Sequence, residues 1–243
     1  MSGHSKWSQI KHKKATTDAK KGQIFSKMSR MITIAAKEKG TDPTMNPRLR
    51  MTIERARSLG MPKENIERAI KRVTDKTSKG LPEEVRYEAY GPGGVALLVD
   101  CVTDNKNRTT AEIKHTLSDY DGRLANHGSV EWLFKKRDAL DIKLNTAAEA
   151  DDLELKLIDA GAEETVRSEE FITAYIDPAK LASFKRTLES GSIIITEEHA
   201  TLLPKNPVDI SDEKTKNKIV ELLEILDNNE DVQEVYTNVE SRS

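Results

Sequence analysis

The spacing of apolar residues changes near residue 80, and this change limits the folds open to the chain. Before it, apolar side chains recur every three or four residues, as they do in amphipathic helices. Phe25, Met28, Ile32 and Ala35 form one such stripe. After it, alternating and continuous apolar runs are interleaved with helical stripes, so strands and helices share the remainder.

The first 80 residues predict three short helices. The first runs from Asp18 to Lys39. Asn46 as the cap and Pro47 in the first turn begin the second, which ends at Gly60. Met61-Pro62 opens the third. The many arginines and lysines between the apolar stripes cannot be core, so the three helices should form a small bundle with basic faces.

Beyond a linker at 74–82, the pattern becomes that of strands. The apolar run VALLVDCV (95–102) predicts a buried strand, and GPGG (91–94) predicts the hairpin turn before it. Residues 109–112 (TTAE) have the pattern of a capping box, which places the start of a helix there. Strand pattern returns over 123–134.

Residues 138–203 predict a unit of their own. Their order is strand, helix, strand, strand, helix, strand, which suits a ferredoxin-like α/β sandwich. A final helix at 212–227 and a terminal strand at 232–239 then need a partner. They complete the sheet begun near residue 83 if 138–203 is an insertion; the alternative is a tail packed on the third domain.

The predicted fold class is therefore α+β, with an N-terminal three-helix bundle and two α/β sandwich domains. The third domain is ferredoxin-like and inserted in the second. The predicted boundaries are 1–80 for the basic arm and bundle, 81–135 plus 206–243 for the discontinuous α/β domain, and 136–205 for the insertion.

A net charge of −2 conceals a strong separation of charge along the chain. Residues 1–80 hold 20 Lys and Arg against 7 Asp and Glu, whereas 81–243 hold 19 against 34. A split of this kind is typical of a polyanion-binding module joined to an acidic body. The alternative is chance clustering of charge on solvated helix faces.

The first fourteen residues are basic and contain no acid. Flexible lysines there would neutralise phosphates without sequence specificity. Trp7, which belongs to no apolar stripe, would stack on an unpaired base or dock against the bundle. Arg48 and Arg50 add cations on the second helix. We therefore predict that the arm and the bundle bind nucleic acid.

The segment TDNKNRTT (103–110) is a second candidate anion site. It lies where a buried strand leads into a helix, and backbone N–H groups at a helix N-terminus favour anions. The donors are Asn105, Lys106, Asn107 and Arg108. A polar loop that only caps its helix explains the same residues equally well.

No catalytic, metal or cofactor motif is present in the sequence, so an enzyme is not expected. Cys101 lies in an apolar run and is predicted to be a core residue. The five histidines lack metal-ligand spacing. The sequence contains no run of roughly 18 apolar residues, which a membrane-spanning helix would need.

Several sequence motifs between residue 2 and about residue 134 resemble those of the YebC/PmpR family. They are GHSKWSQIKHKK, DAKKGQIFSKM, NPRLR, MPKENIERAIKR, YGPGGVALLVD, TDNKNRTTAEIKH and GSVEWLF. The resemblance implies three domains with the third inserted in the second. Carried over by matching words, it implies nucleic-acid contacts by Lys6, Trp7, Lys11, His12, Lys13, Lys14, Lys20 and Lys21.

The resemblance also implies a function. Members of the family are mostly described as probable transcriptional regulators that bind DNA, and some act in translation at the ribosome on proline-rich peptides. We therefore expect a non-enzymatic, DNA-binding regulator of gene expression in the cytoplasm. The alternative is a translation factor that binds ribosomal RNA. A protein partner on the acidic α/β face is also predicted.

Overall fold

The computed structural model describes residues 18–75, 80–144, 149–168, 170–191 and 193–240. The described α-helices are α1 (Asp18–Lys39), α2 (Pro47–Ser58), α3 (Lys63–Lys71), α4 (Lys106–Asp119), α5 (Ala150–Ala160), α6 (Leu181–Ser190) and α7 (Glu213–Asn228). The described strands are β1 (Glu83–Tyr90), β2 (Ala96–Thr103), β3 (Arg123–Leu124), β4 (Phe134–Lys143), β5 (Glu164–Arg167), β6 (Phe171–Ile176), β7 (Ile195–Pro204) and β8 (Val232–Thr237).

These elements form two compact units. The bundle unit contains 18–130 and 211–235, and the ferredoxin-like unit contains 131–210 and 236–240. The α+β fold class is confirmed. The three-domain boundaries at 80, 135 and 205 stay a prediction.

Helices α1, α2 and α3 pack around one apolar core in the bundle unit. The stripe predicted on α1 supplies Met28, Ile32 and Ala35 to this core, and Phe25 packs against it. Asn46 caps α2 as predicted, since its side-chain oxygen accepts a hydrogen bond from the backbone N–H of Leu49. The predicted three-helix bundle is therefore confirmed.

The first sheet has the strand order β3-β1-β2-β8. Strands β1 and β2 form an antiparallel hairpin, and Pro92–Gly94 make its turn, as GPGG predicted. Nearly every residue of β2 is buried, and helix α1 contacts this strand. A strand that is covered on both faces has apolar residues at successive positions, which explains the continuous apolar run at 95–102.

The ferredoxin-like unit contains the second sheet, with the order β5-β6-β4-β7. Strand β4 pairs antiparallel with both β6 and β7. Leu157, Phe184 and Leu188 of its two helices bury their side chains against Leu140 and Ile172 of the sheet. The predicted βαββαβ order is confirmed.

Helix α7 and strand β8 come after the second sheet in the chain, yet β8 pairs in the first sheet beside β2. The segment that forms the second sheet is therefore inserted, as the unpartnered terminal helix and strand had indicated. Leu222, Leu223 and Leu226 of α7 are buried. The alternative of a C-terminal tail on the third domain is wrong.

Two local predictions are wrong. Helix α4 begins at Lys106 with Asn105 as its cap, and not at the TTAE capping box, because Thr109 is a buried residue inside the helix. Trp132 was expected in a strand, but it lies in the 3₁₀ turn Glu131–Leu133 with 62% of its surface exposed. Strand β4 starts only at Phe134.

Candidate nucleic-acid interface

Asn46 fixes the course of the chain between α1 and α2. Its side-chain amide is buried and donates hydrogen bonds to the carbonyl oxygens of Ala35 (2.7 Å) and Gly40 (2.8 Å). Its oxygen accepts from the N–H of Leu49 at 3.0 Å. One residue thus caps α2 and ties it to the end of α1, so the side chains of α2 project from a fixed support.

The cations of the bundle divide into two groups, and the first group faces the protein itself. On α1, the Lys27 amine donates to the carbonyl oxygen of Asp227 at 2.6 Å. Arg30, three residues and just under one turn further on, reaches the carboxylate of Asp231 at 2.6 Å. These contacts join the bundle to the turn between α7 and β8. Both cations therefore serve the packing of the bundle unit.

Asp231 is the centre of this junction. Its carboxylate is buried, with 3% of the side chain exposed, and binds the Arg30 and Arg108 guanidiniums on different oxygens. The Thr109 hydroxyl donates to the same oxygen as Arg108, at 2.6 Å. Burial favours the protonated acid, but the hydrogen bonds from Thr109 and Arg108 and the charge of Arg30 outweigh it and lower the pKa of Asp231.

Arg48 also belongs to this inward group. Its guanidinium pairs with Glu38 near the end of α1 at 2.5 Å and with Glu84 on β1. It therefore bridges two helices of the bundle to the first sheet. Arg48 and Arg50 were both predicted to bind nucleic acid, but Arg48 already has two carboxylate partners.

The second group of cations points outward. Arg50 is exposed, and its guanidinium lies 3.5 Å from the carbonyl oxygen of Pro43. The exposed cations of the bundle, called here the outward cations, are Lys21, Lys37, Lys39, Arg50, Arg55, Arg57, Lys63, Arg68 and Lys71. Over 18–75 the sequence holds 14 Lys and Arg against 7 Asp and Glu, so this part of the unit is basic.

The structure places the four residues of the second candidate anion site at the start of α4. The Asn105 side chain accepts from the N–H of Arg108 at 3.2 Å, and its own N–H donates to the Thr103 hydroxyl. Lys106 and Asn107 are exposed in the first turn. Arg108 pairs with Asp231 at 2.9 Å and lies 3.5 Å from Asp104. The loop thus caps its helix, and its arginine already faces carboxylates.

The residues predicted in the N-terminal arm lie outside the described part of the chain. They are Lys6, Trp7, Lys11, His12, Lys13 and Lys14. Lys20 lies within helix α1, but its side chain is outside the described set, whereas Lys21 is exposed. Contacts of these residues with nucleic acid stay a prediction.

Metal-binding clusters and membrane-spanning helices are absent from the described parts of the chain. Over those ranges, no group of three or more His, Cys, Asp and Glu side chains is arranged to hold a metal ion. Cys101 is buried as predicted, and burial raises its thiol pKa to about 12. No helix in the same ranges is long and apolar enough to cross a membrane.

Sequence comparison identifies the family. Residues 5–76 match the TACO1/YebC protein N-terminal domain, and residues 82–239 match the TACO1/YebC second and third domain. The chain belongs to the TACO1/YebC family. Together the two matches cover the basic arm, the bundle and both sheets, and they confirm the resemblance seen in the sequence words.

Relatives of similar length support the same assignment. A probable transcriptional regulatory protein from Halothermothrix orenii is 46% identical over 239 residues, covering 98% of this chain and 94% of its own. One of the same description from Persephonella marina is 46% identical over 241 residues, covering 99% and 96%.

A solved structure shares the fold. The crystal structure of a conserved hypothetical protein from Aquifex aeolicus superposes with a TM-score of 0.83 at 42% sequence identity, and the match covers 97% of each chain.

Sequence reasoning missed the junction around Asp231. Arg30 and Asp231 are 201 residues apart in the chain. The acidic run DNNED (227–231) gives no spacing signal for a buried ion pair. The sequence shows that α1 is basic and that the turn at 227–231 is acidic, but it does not show that the two segments are in contact.

Proposed function

We propose that this chain is a regulator of gene expression that binds DNA through its basic N-terminal arm and the outward cations of its bundle. The observation that carries the proposal is the excess of positive charge on the exposed side of the bundle. Nine cations are exposed there, whereas residues 81–243 are acidic. Cations of this kind bind phosphates and release counterions.

The relatives support the regulatory part of the proposal. Both the Halothermothrix orenii and the Persephonella marina proteins are described as probable transcriptional regulatory proteins. Those proteins align with nearly all of this chain, including its basic and its acidic parts. A non-enzymatic role is consistent with their descriptions.

The acidic remainder has a role in the same proposal. Residues 81–243 hold 34 Asp and Glu against 19 Lys and Arg. Like charges repel a polyanion, so the acidic part of the chain leaves binding of the duplex to the basic part. They also leave a surface for a protein partner with complementary charge.

The test is to crosslink the full chain to nucleic acid in cells and sequence what is attached. We expect enrichment of DNA at promoters. Recovery of ribosomal RNA without DNA would refute the proposal and favour the translation alternative. A matched strain that expresses a chain without residues 1–21 separates the contribution of the arm, and its DNA recovery should fall.

A further inference from the structure

We propose that the exposed side of α2 grips the phosphate backbone of the nucleic acid through Arg50 and Arg57, and that Arg48 only positions this helix. The inference rests on the proposed function, because it assumes that the bundle meets a polyanion. It goes further because it assigns two contact residues, and one of them, Arg57, lies in none of the family motifs found in the sequence. It also removes one predicted residue from the contact surface.

Helix α2 presents different sides to the core and to solvent. Leu49, Ile53 and Ala56 are buried in the bundle core. Arg50 and Arg57 each follow a buried residue by one position, about 100° further round the helix, and are exposed on the flank beside the core stripe. They are seven residues apart, which is two helical turns, so they lie on nearly the same line, roughly 10 Å apart along the axis. Two guanidiniums so placed reach separate phosphates of one strand.

These two arginines differ from Arg48 in their partners. Arg48 pairs with Glu38 and Glu84 and cannot approach a phosphate without breaking those pairs. Within the described ranges, neither Arg50 nor Arg57 lies within ion-pair distance of a carboxylate. Their charge is therefore available to an incoming polyanion, at no cost of a broken pair.

The support beneath the arginines is rigid. The buried Asn46 amide ties the start of α2 to the carbonyl oxygens of Ala35 and Gly40. Arg48 ties the same turn to the end of α1 and to β1. A helix held at its first turn loses little conformational freedom when its side chains bind, which favours affinity.

One acid opposes the two arginines. Glu54 is the single carboxylate of α2, and it is exposed on the same side, four residues after Arg50 and three before Arg57. A carboxylate there weakens the attraction for phosphate. Removing its charge should therefore strengthen binding, a result that loss of folding cannot imitate.

The experiment measures binding of the full chain to a labelled mixed-sequence DNA duplex over a series of salt concentrations. Each lost phosphate contact lowers the salt slope by about 0.9, so the double variant Arg50→Gln/Arg57→Gln should bind with a slope shallower by about 2. Its affinity at low salt should fall by roughly tenfold or more for each arginine. Circular dichroism checks that the variant is folded.

Two further variants sharpen the test. Glu54→Gln should bind more tightly than the unmodified chain. Lys114→Gln/Arg186→Gln removes the same charge from exposed positions on α4 and α6, and it should leave the slope unchanged. If the unmodified chain binds but the α2 double variant matches the control, the inference fails and the proposed function survives. If the unmodified chain shows no salt-dependent binding, both fail.

Discussion

Replacing Asp231 by Asn should destabilise the bundle unit more than any other single carboxylate-to-amide change at its junction. The buried carboxylate receives the Arg30 guanidinium at 2.6 Å and the Arg108 guanidinium at 2.9 Å. An amide removes the negative charge and replaces one of the two carboxylate oxygens by an NH2 group, which cannot accept a hydrogen bond from the arginine that faces it. The two arginines would then be held together without a counterion between them.

The magnitude follows from the exposure of the partners. Removing one member of a fully buried pair costs about 3–5 kcal/mol. Here the Arg30 side chain is 20% exposed and that of Arg108 is 45% exposed, so water recovers part of the loss. Arg30 also keeps Glu230, 3.5 Å away. We therefore expect Asp231→Asn to cost about 3 kcal/mol in the free energy of unfolding.

Urea unfolding followed by far-ultraviolet circular dichroism measures this cost. Glu230→Gln is the matched control, because this neighbour also faces Arg30 but is 67% exposed. The control should cost less than about 1 kcal/mol. Amide hydrogen exchange should rise in α1 and α4 of Asp231→Asn. If the two variants lose equal stability, Asp231 does not hold the junction together.

The same contact predicts a dependence on pH. The pKa of Asp231 is lowered in the folded chain, whereas a free Asp titrates near pH 3.9. Its stabilisation is therefore fully present above about pH 4 and is lost as the pH falls through the folded pKa. The stability gap between the unmodified chain and Asp231→Asn should shrink below about pH 4, and a gap that stays constant there would contradict the assignment.

Three further predictions follow from other contacts. Glu88→Gln should lower the free energy of unfolding by about 1–3 kcal/mol in urea, because the buried carboxylate accepts the N–H groups of Gly128 and Val130. Gly122→Ala should lower the thermal midpoint, since an added Cβ would lie 2.8 Å from the Tyr90 carbonyl oxygen. Cys101 should react with an aromatic disulfide reagent only after unfolding; rapid reaction of the native chain would refute its burial.

Much of the fold could be read from local spacing. The stripe from Phe25 to Ala35 marked a helix because α1 packs one face on a core, and Asn46-Pro47 marked the next because caps act within a single turn. The strand and helix order of 138–203 specified the second sheet, since few arrangements bury those elements. The insertion followed from counting elements that had no partner.

The start of α4 shows where local reading fails. Thr109 and Thr110 look like cap residues, but the Thr109 hydroxyl binds Asp231, a residue 122 positions away. Asn105 then becomes the cap. A long-range hydrogen bond thus outweighed the local pattern, because a buried carboxylate without donors is costly.

The sequence by itself determined the separation of charge, the helical bundle, the order of elements and the family. Only the tertiary structure decided which cations remain available to a partner. Arg48 and Arg50 are two residues apart and look equivalent in the chain, yet one pairs with Glu38 and Glu84 and the other faces solvent. Successive helical residues point in different directions, so the role of each charge depends on what the fold places opposite it.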